Sequence, residues 1–69
     1  MSNMPLNTDR MERRRKELGL TQEQAARKAK LVSKTYWSDI VSGRKSNITL
    51  EVLDNIARAL DLPASDLIK

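Results

Sequence analysis

The sequence contains no cysteine and no histidine. That removes disulfide frameworks, thiolate and imidazole metal sites, and every nucleophilic arrangement that relies on histidine as its base. Long apolar runs are missing too. Apolar residues never follow one another more than twice, so neither a membrane span nor the apolar stretch of a signal peptide can be placed, and a cytoplasmic protein is the expectation. Phenylalanine is absent, and one Trp and one Tyr remain, too few to form a series of stacking platforms for single-stranded bases. With two Gly and two Pro beside 39% apolar and 32% charged residues, the composition is that of a folded helical domain and not of a disordered tail. A chain of 69 residues has interior for one core. No enzyme, cofactor, metal or small-molecule ligand is expected.

The charge is unevenly spread. Residues 1–45 hold eleven of the thirteen Lys and Arg against five acids, a net +6, whereas residues 46–69 carry a net −2. One face suited to a polyanion would give this split, and so would an ordinary solvated surface.

Residues 1–7 lack periodicity and read as a flexible arm, with the folded domain over 8–69. The first helix is expected from an Asp9 cap, boxed with Glu12, to Leu18, with Gly19 as its left-handed stop and Met11 and Leu18 facing inward. The intervening turn places Arg14 or Arg15 where it must reach the surface or find a partner. Thr21 and Gln24 form a capping box for a second helix that runs to about Lys30 and turns Ala25, Ala26 and Ala29 inward. Leu31-Val32 is only long enough for a turn. Ser33 caps a short third helix ending at Gly43, which makes the pair a helix-turn-helix in outline. Thr49 caps a fourth helix with an apolar stripe of Leu50, Leu53, Ile56, Ala57 and Leu60. Pro63 opens a short fifth helix carrying Leu67 and Ile68.

At 100° per residue the third helix puts Trp37, Ile40 and Val41 on one side and Thr35, Ser38, Asp39 and Ser42 on the other, with Lys34 and Tyr36 flanking. Small hydrogen-bonding side chains on a thin helix suit the major groove of duplex DNA, although many solvated helices have polar fronts of the same kind. The flanks add phosphate-binding chemistry: the first amides of the second helix with Gln22 beside them, those after Ser33, and the loop Gly43-Arg44-Lys45-Ser46-Asn47. Trp37 is expected in the core, its indole filling volume left by Ala25 and Ala29. Asp39 repels phosphate unless it accepts from a cytosine amino group or pairs locally, and a local pair is the expectation.

Leu20 to Ala26, Ser33 to Ile40, Ser42-Gly43-Arg44-Lys45, Ile48 to Leu53 and Ile56 to Leu60 together resemble the Cro and phage-repressor type of helix-turn-helix, the XRE family, over about residues 9–68. The resemblance implies an all-α, five-helix DNA-binding domain. It also implies a transcriptional regulator that binds a palindromic operator as a homodimer; family members include phage repressors, restriction-modification controllers and antitoxins. By position it implies base reading by Lys34, Thr35, Ser38 and Asp39 with Tyr36 nearby, and phosphate contacts from Gln22, Ser33, Arg44, Lys45 and Asn47. Arg15 matches a common arginine whose glutamate partner is here Val41; of the run Arg13-Arg14-Arg15-Lys16 it is the one expected to contact phosphate, with Asp39 or another acid as the alternative partner. The turn at Lys30-Leu31-Val32 is one residue longer than the family pattern and lacks its glycine. Leu62, Leu67 and Ile68 exceed what one short last helix can bury, so a dimer interface is expected there. The alternative function is an antitoxin whose main partner is a toxin protein.

Overall fold

The computed structural model describes residues 6–45 and 48–68. Four α-helices, α1 (Thr8–Glu17), α2 (Gln22–Lys28), α3 (Lys34–Ser42) and α4 (Leu50–Ala59), are followed by one 3-10 turn at Ala64–Leu67. The expected fifth α-helix is therefore corrected to a single tight turn. Only four residues separate Pro63 from Ile68, and Ile68 is already extended and paired in an antiparallel bridge with Leu6. The Leu67 carbonyl accepts from the Asn7 N–H at 2.7 Å, so the backbone that could have prolonged a helix is committed to the other end of the domain. Leu6 and Asn7, expected in the arm, are thereby tied down, and residues 1–5 lie outside the described part.

Asn7, not Asp9, caps α1: its side-chain oxygen accepts from the Arg10 N–H at 3.1 Å. Both are good capping residues. The choice of Asn7 leaves Asp9 in the first turn, where its charge suits the helix dipole, and releases Glu12 for another role. The Thr21–Gln24 box is present in both directions, at 3.0 and 2.9 Å. Ser33 stands at the N-cap of α3 without a side-chain capping bond, whereas Thr49 caps α4 through Val52.

The core gathers Met11, the three alanines of α2 and its end, Trp37 and Ile40 of α3, Leu53, Ile56 and Leu60 of α4 and its end, and Leu67. Trp37 is fully buried in this cluster with Ala25, Ala26 and Ala29; small residues on α2 let the helices approach and the indole occupies the space. Two apolar expectations fail at helix ends. Leu18 is 39% exposed at the C-cap of α1 and Leu50 is 67% exposed as the first residue of α4. Val41 is half-buried against the cluster.

Three helices end in one way. After α1, α2 and α4 the chain enters the left-handed region at Gly19, Lys30 and Asp61, with φ of 72°, 60° and 57°. In each case the next residue is a leucine whose N–H returns to the helix: Leu20 to Arg15, Leu31 to Ala26 and Leu62 to Ala57. This is the Schellman closure, and the leucine packs on the core as its hydrophobic contact. The missing glycine after α2 is thus replaced by a strained lysine at a cost of about 1 kcal/mol. Lys30→Gly should raise stability by about 0.5 kcal/mol or more, while Gly19→Ala, with φ of 72°, should lower it by about 1 kcal/mol. Urea denaturation with unchanged m-values would show the two midpoints moving in opposite directions.

Candidate nucleic-acid interface

The helix-turn-helix is held by a single carboxylate. Glu12 on α1 accepts from Arg15 twice, Nε at 2.8 Å and Nη2 at 2.9 Å, from the Trp37 indole Nε1 at 2.8 Å and from the Gln22 amide at 3.4 Å. Partners on α1, α2 and α3 therefore converge on one group. Arg15 spends its remaining terminal nitrogen on the Leu20 carbonyl at 2.6 Å and is only 13% exposed in its side chain. The partner left open for Arg15 is thus Glu12 on its own helix, three residues back. A phosphate reaching Arg15 would have to compete with that pair. Arg14 is also committed, donating to the Leu60 carbonyl at the end of α4 at 2.9 Å; Arg13 and Lys16 stay exposed.

The hydrogen bonds from Arg15 are the first reason that the Glu12 carboxyl is held down to about 2. Burial pushes the other way, and the indole, the Arg15 charge and the Gln22 amide add to the lowering. Arg15 is raised correspondingly by Glu12.

The front of α3 is open while its back is locked. Trp37 and Ile40 are buried, Lys34 and Thr35 are exposed, and Tyr36, Ser38 and Asp39 are half-buried. Lys34 and Thr35 thus give the N-terminal end of the helix an accessible polar surface, and Ser42 is exposed at its other end. Gln22 sits half-buried at the start of α2, one amide hydrogen given to Glu12 and its second N–H still to place. Ser33 keeps its hydroxyl off the helix cap. Past α3, Gly43 turns left-handed with φ of 88° and directs Arg44 and Lys45 back along the helix they follow. Arg44 lies 3.6 Å from the Asp39 carboxylate, the local pair expected for that acid. Lys45 lies 5.0 Å above the Tyr36 ring and donates its N–H to the Asp39 carbonyl at 3.0 Å. Two cations expected on phosphate are therefore folded against two residues expected near bases. Asn47 lies outside the described residues.

One expected interface residue is corrected. Leu67 is fully buried in the core of this chain and has no side chain to offer a partner, because the 3-10 turn folds it against α4 and α1. Leu62 is half-buried and Ile68 is 38% exposed. Two features were not read from the sequence: Glu12, expected only in a capping box with Asp9, is a hub whose one local signal was its spacing of three from Arg15, and Val32, expected only as part of a turn, is 87% exposed. No helix among the described residues is long and apolar enough to cross a membrane.

Glu12 gives a pH signature with a definite sign. Its folded pKa lies below its ordinary value of 4.5, so the stabilisation is complete above about pH 4.5 and is lost as pH falls toward 2. Partial solvent access reduces it to the order of 1 to 2 kcal/mol. Glu12→Gln should lower stability at neutral pH and flatten the acid limb between those values. Urea midpoints measured from pH 2 to 7 for both proteins would check it.

A helix-turn-helix family model matches residues 11–67. Among solved structures the chain is similar to that of SinR, described as the master regulator for biofilm formation, in complex with DNA, with a TM-score of 0.77 and 27% identity over 87% of this chain and 94% of that one. No curated protein matches. With the family pattern covering both helices of the motif and everything from the buried Met11 to the buried Leu67, the chain belongs to the helix-turn-helix family of the XRE type.

Proposed function

We propose that this chain is a transcriptional regulator that binds duplex DNA with the N-terminal half of α3 in the major groove. The observation that carries the reading is the division of α3 itself: a back fixed by Trp37 and Ile40, and an accessible end carrying Lys34 and Thr35. Helices of this motif read bases through their first residues. A lysine there reaches guanine acceptors, and a threonine brings both a hydroxyl and a methyl. Tyr36, Ser38 and Asp39 lie further along the same front. Gln22, Ser33, Arg44 and Lys45 serve the phosphates on either side, and Arg15 acts through Glu12, holding Gln22 in place. The complex of SinR with DNA supports the reading.

Base contacts discriminate and phosphate contacts do not. Lys34→Ala and Thr35→Ala should each cost roughly 1 to 3 kcal/mol on a duplex selected from random sequence and little on a scrambled one. Arg44→Ala and Lys45→Ala should weaken both duplexes and shallow the salt slope by about one each. Arg44→Ala should be the worse of the two, since it also strips Asp39 of its cation. Isotherms on both duplexes over a range of salt separate these outcomes; equal losses on both duplexes for Lys34 and Thr35 would put a different surface in the groove.

The reading extends to a homodimer on a palindromic operator, with the two copies of α3 about 34 Å apart. Support comes from the net −2 segment after residue 45, which is unsuited to DNA, and from the exposed Ile68 and half-buried Leu62 in that segment. Ile68→Lys should weaken self-association and operator binding in a folded protein, whereas Leu67→Lys should unfold the chain. Sedimentation velocity with a thermal melt distinguishes the two; a wild type that stays monomeric at high concentration removes the dimer.

A further inference from the structure

We propose that Val32 is a specificity-determining residue that reads the C5-methyl group of a thymine beside the start of α3. The inference rests on the DNA-binding reading above and goes beyond it, since Val32 is not among the base-reading or phosphate-binding residues of that reading. Val32 is 87% exposed, the most exposed large apolar side chain among the described residues. Isolated apolar residues are ordinary on protein surfaces, but this one is held in a defined place. On one side Leu31 is anchored by its N–H to the Ala26 carbonyl at 2.9 Å and packs on the core; on the other Ser33 forms the N-cap of α3, its carbonyl accepting from Tyr36 at 3.1 Å. The left-handed Lys30 completes the closure. The one residue between two anchors points outward, and its branched Cβ leaves little rotamer freedom to lose on contact.

Its neighbourhood decides what it meets. Val32 lines an open cleft of about 420 Å³ with Glu23, Arg27, Lys34 and Thr35, so it shares a surface with the two exposed residues at the start of the reading helix. Glu23 and Arg27 pair with each other at 3.2 Å, and Lys34 and Thr35 offer donors and an acceptor to base edges. The only apolar feature that a base pair presents in the major groove is the thymine methyl. Leu18, Leu50 and Ile68, the other large exposed apolar residues, lie outside the α2–α3 turn. An isopropyl group at the tip of a polar reading surface therefore matches one base and is neutral or unfavourable toward the others.

The test uses the whole chain and a duplex selected from random sequence, with each thymine replaced in turn by uracil, which deletes the methyl and keeps the pairing. Loss of one methyl contact is worth about fourfold in affinity. One thymine should show that loss with wild type and none with Val32→Ala, while the thermal midpoint of the variant is unchanged because the side chain is exposed. Equal sensitivity of both proteins at every thymine, or a selected consensus without a thymine under the turn, overturns the assignment while leaving DNA binding intact. Failure of wild type to prefer the selected duplex over a scrambled one overturns both.

Discussion

Four donors on three helices compete for the two oxygens of Glu12, and the arrangement of the helix-turn-helix follows from satisfying them together. A half-buried carboxylate is tolerable only when its charge and lone pairs are met. Arg15 meets the charge, Trp37 and Gln22 meet the remaining lone pairs, and the same bonds set the distance of α1 from α2 and α3. Without the anion, the indole N–H would be buried with nothing to accept it. The polar centre thus complements a core that is otherwise small-residue and aliphatic, and adds direction to packing that apolar contact alone leaves free.

Much of the fold was legible because it is written in local chemistry. The Thr21–Gln24 box, the inward Ala25, Ala26 and Ala29, the buried Trp37 and the stripe from Leu53 to Leu60 are all properties of residues within one or two turns of each other. The pairing of Asp39 was anticipated from the cost of an acid near polyanions, and its partner Arg44 is five residues away. Failures came where the partner is distant or where two local answers are equally good. Glu12 was assigned to a cap three residues earlier, whereas its partners include residues 10 and 25 positions on. Asn7 and Asp9 are nearly equivalent as caps, so only tertiary contact could choose. Leu67 looked surplus because nothing in the sequence announced that Leu6 would pair with Ile68 and draw the last turn onto the core.

The repeated helix ending explains how a chain with two glycines makes its turns. The pairs Gly19-Leu20, Lys30-Leu31 and Asp61-Leu62 use one left-handed residue to reverse the backbone and one leucine to seal it. The leucine is the constant part. Glycine is optional where the apolar contact and the returned hydrogen bonds outweigh the strain, so a rule that looks for glycine alone recovers one of the three. In the second of them the closure also fixes the extra residue that carries the chain into α3.

The position of the indole has a consequence for how the molecule can be observed. Trp37 is the only tryptophan, fully buried and bonded to the Glu12 carboxylate, so all tryptophan emission comes from the point where α1, α2 and α3 meet. Its colour and intensity report the polarity and the negative charge at that junction and nothing at the chain ends. Loosening of the reading helix from its support would therefore change the spectrum before circular dichroism registers any loss of helix.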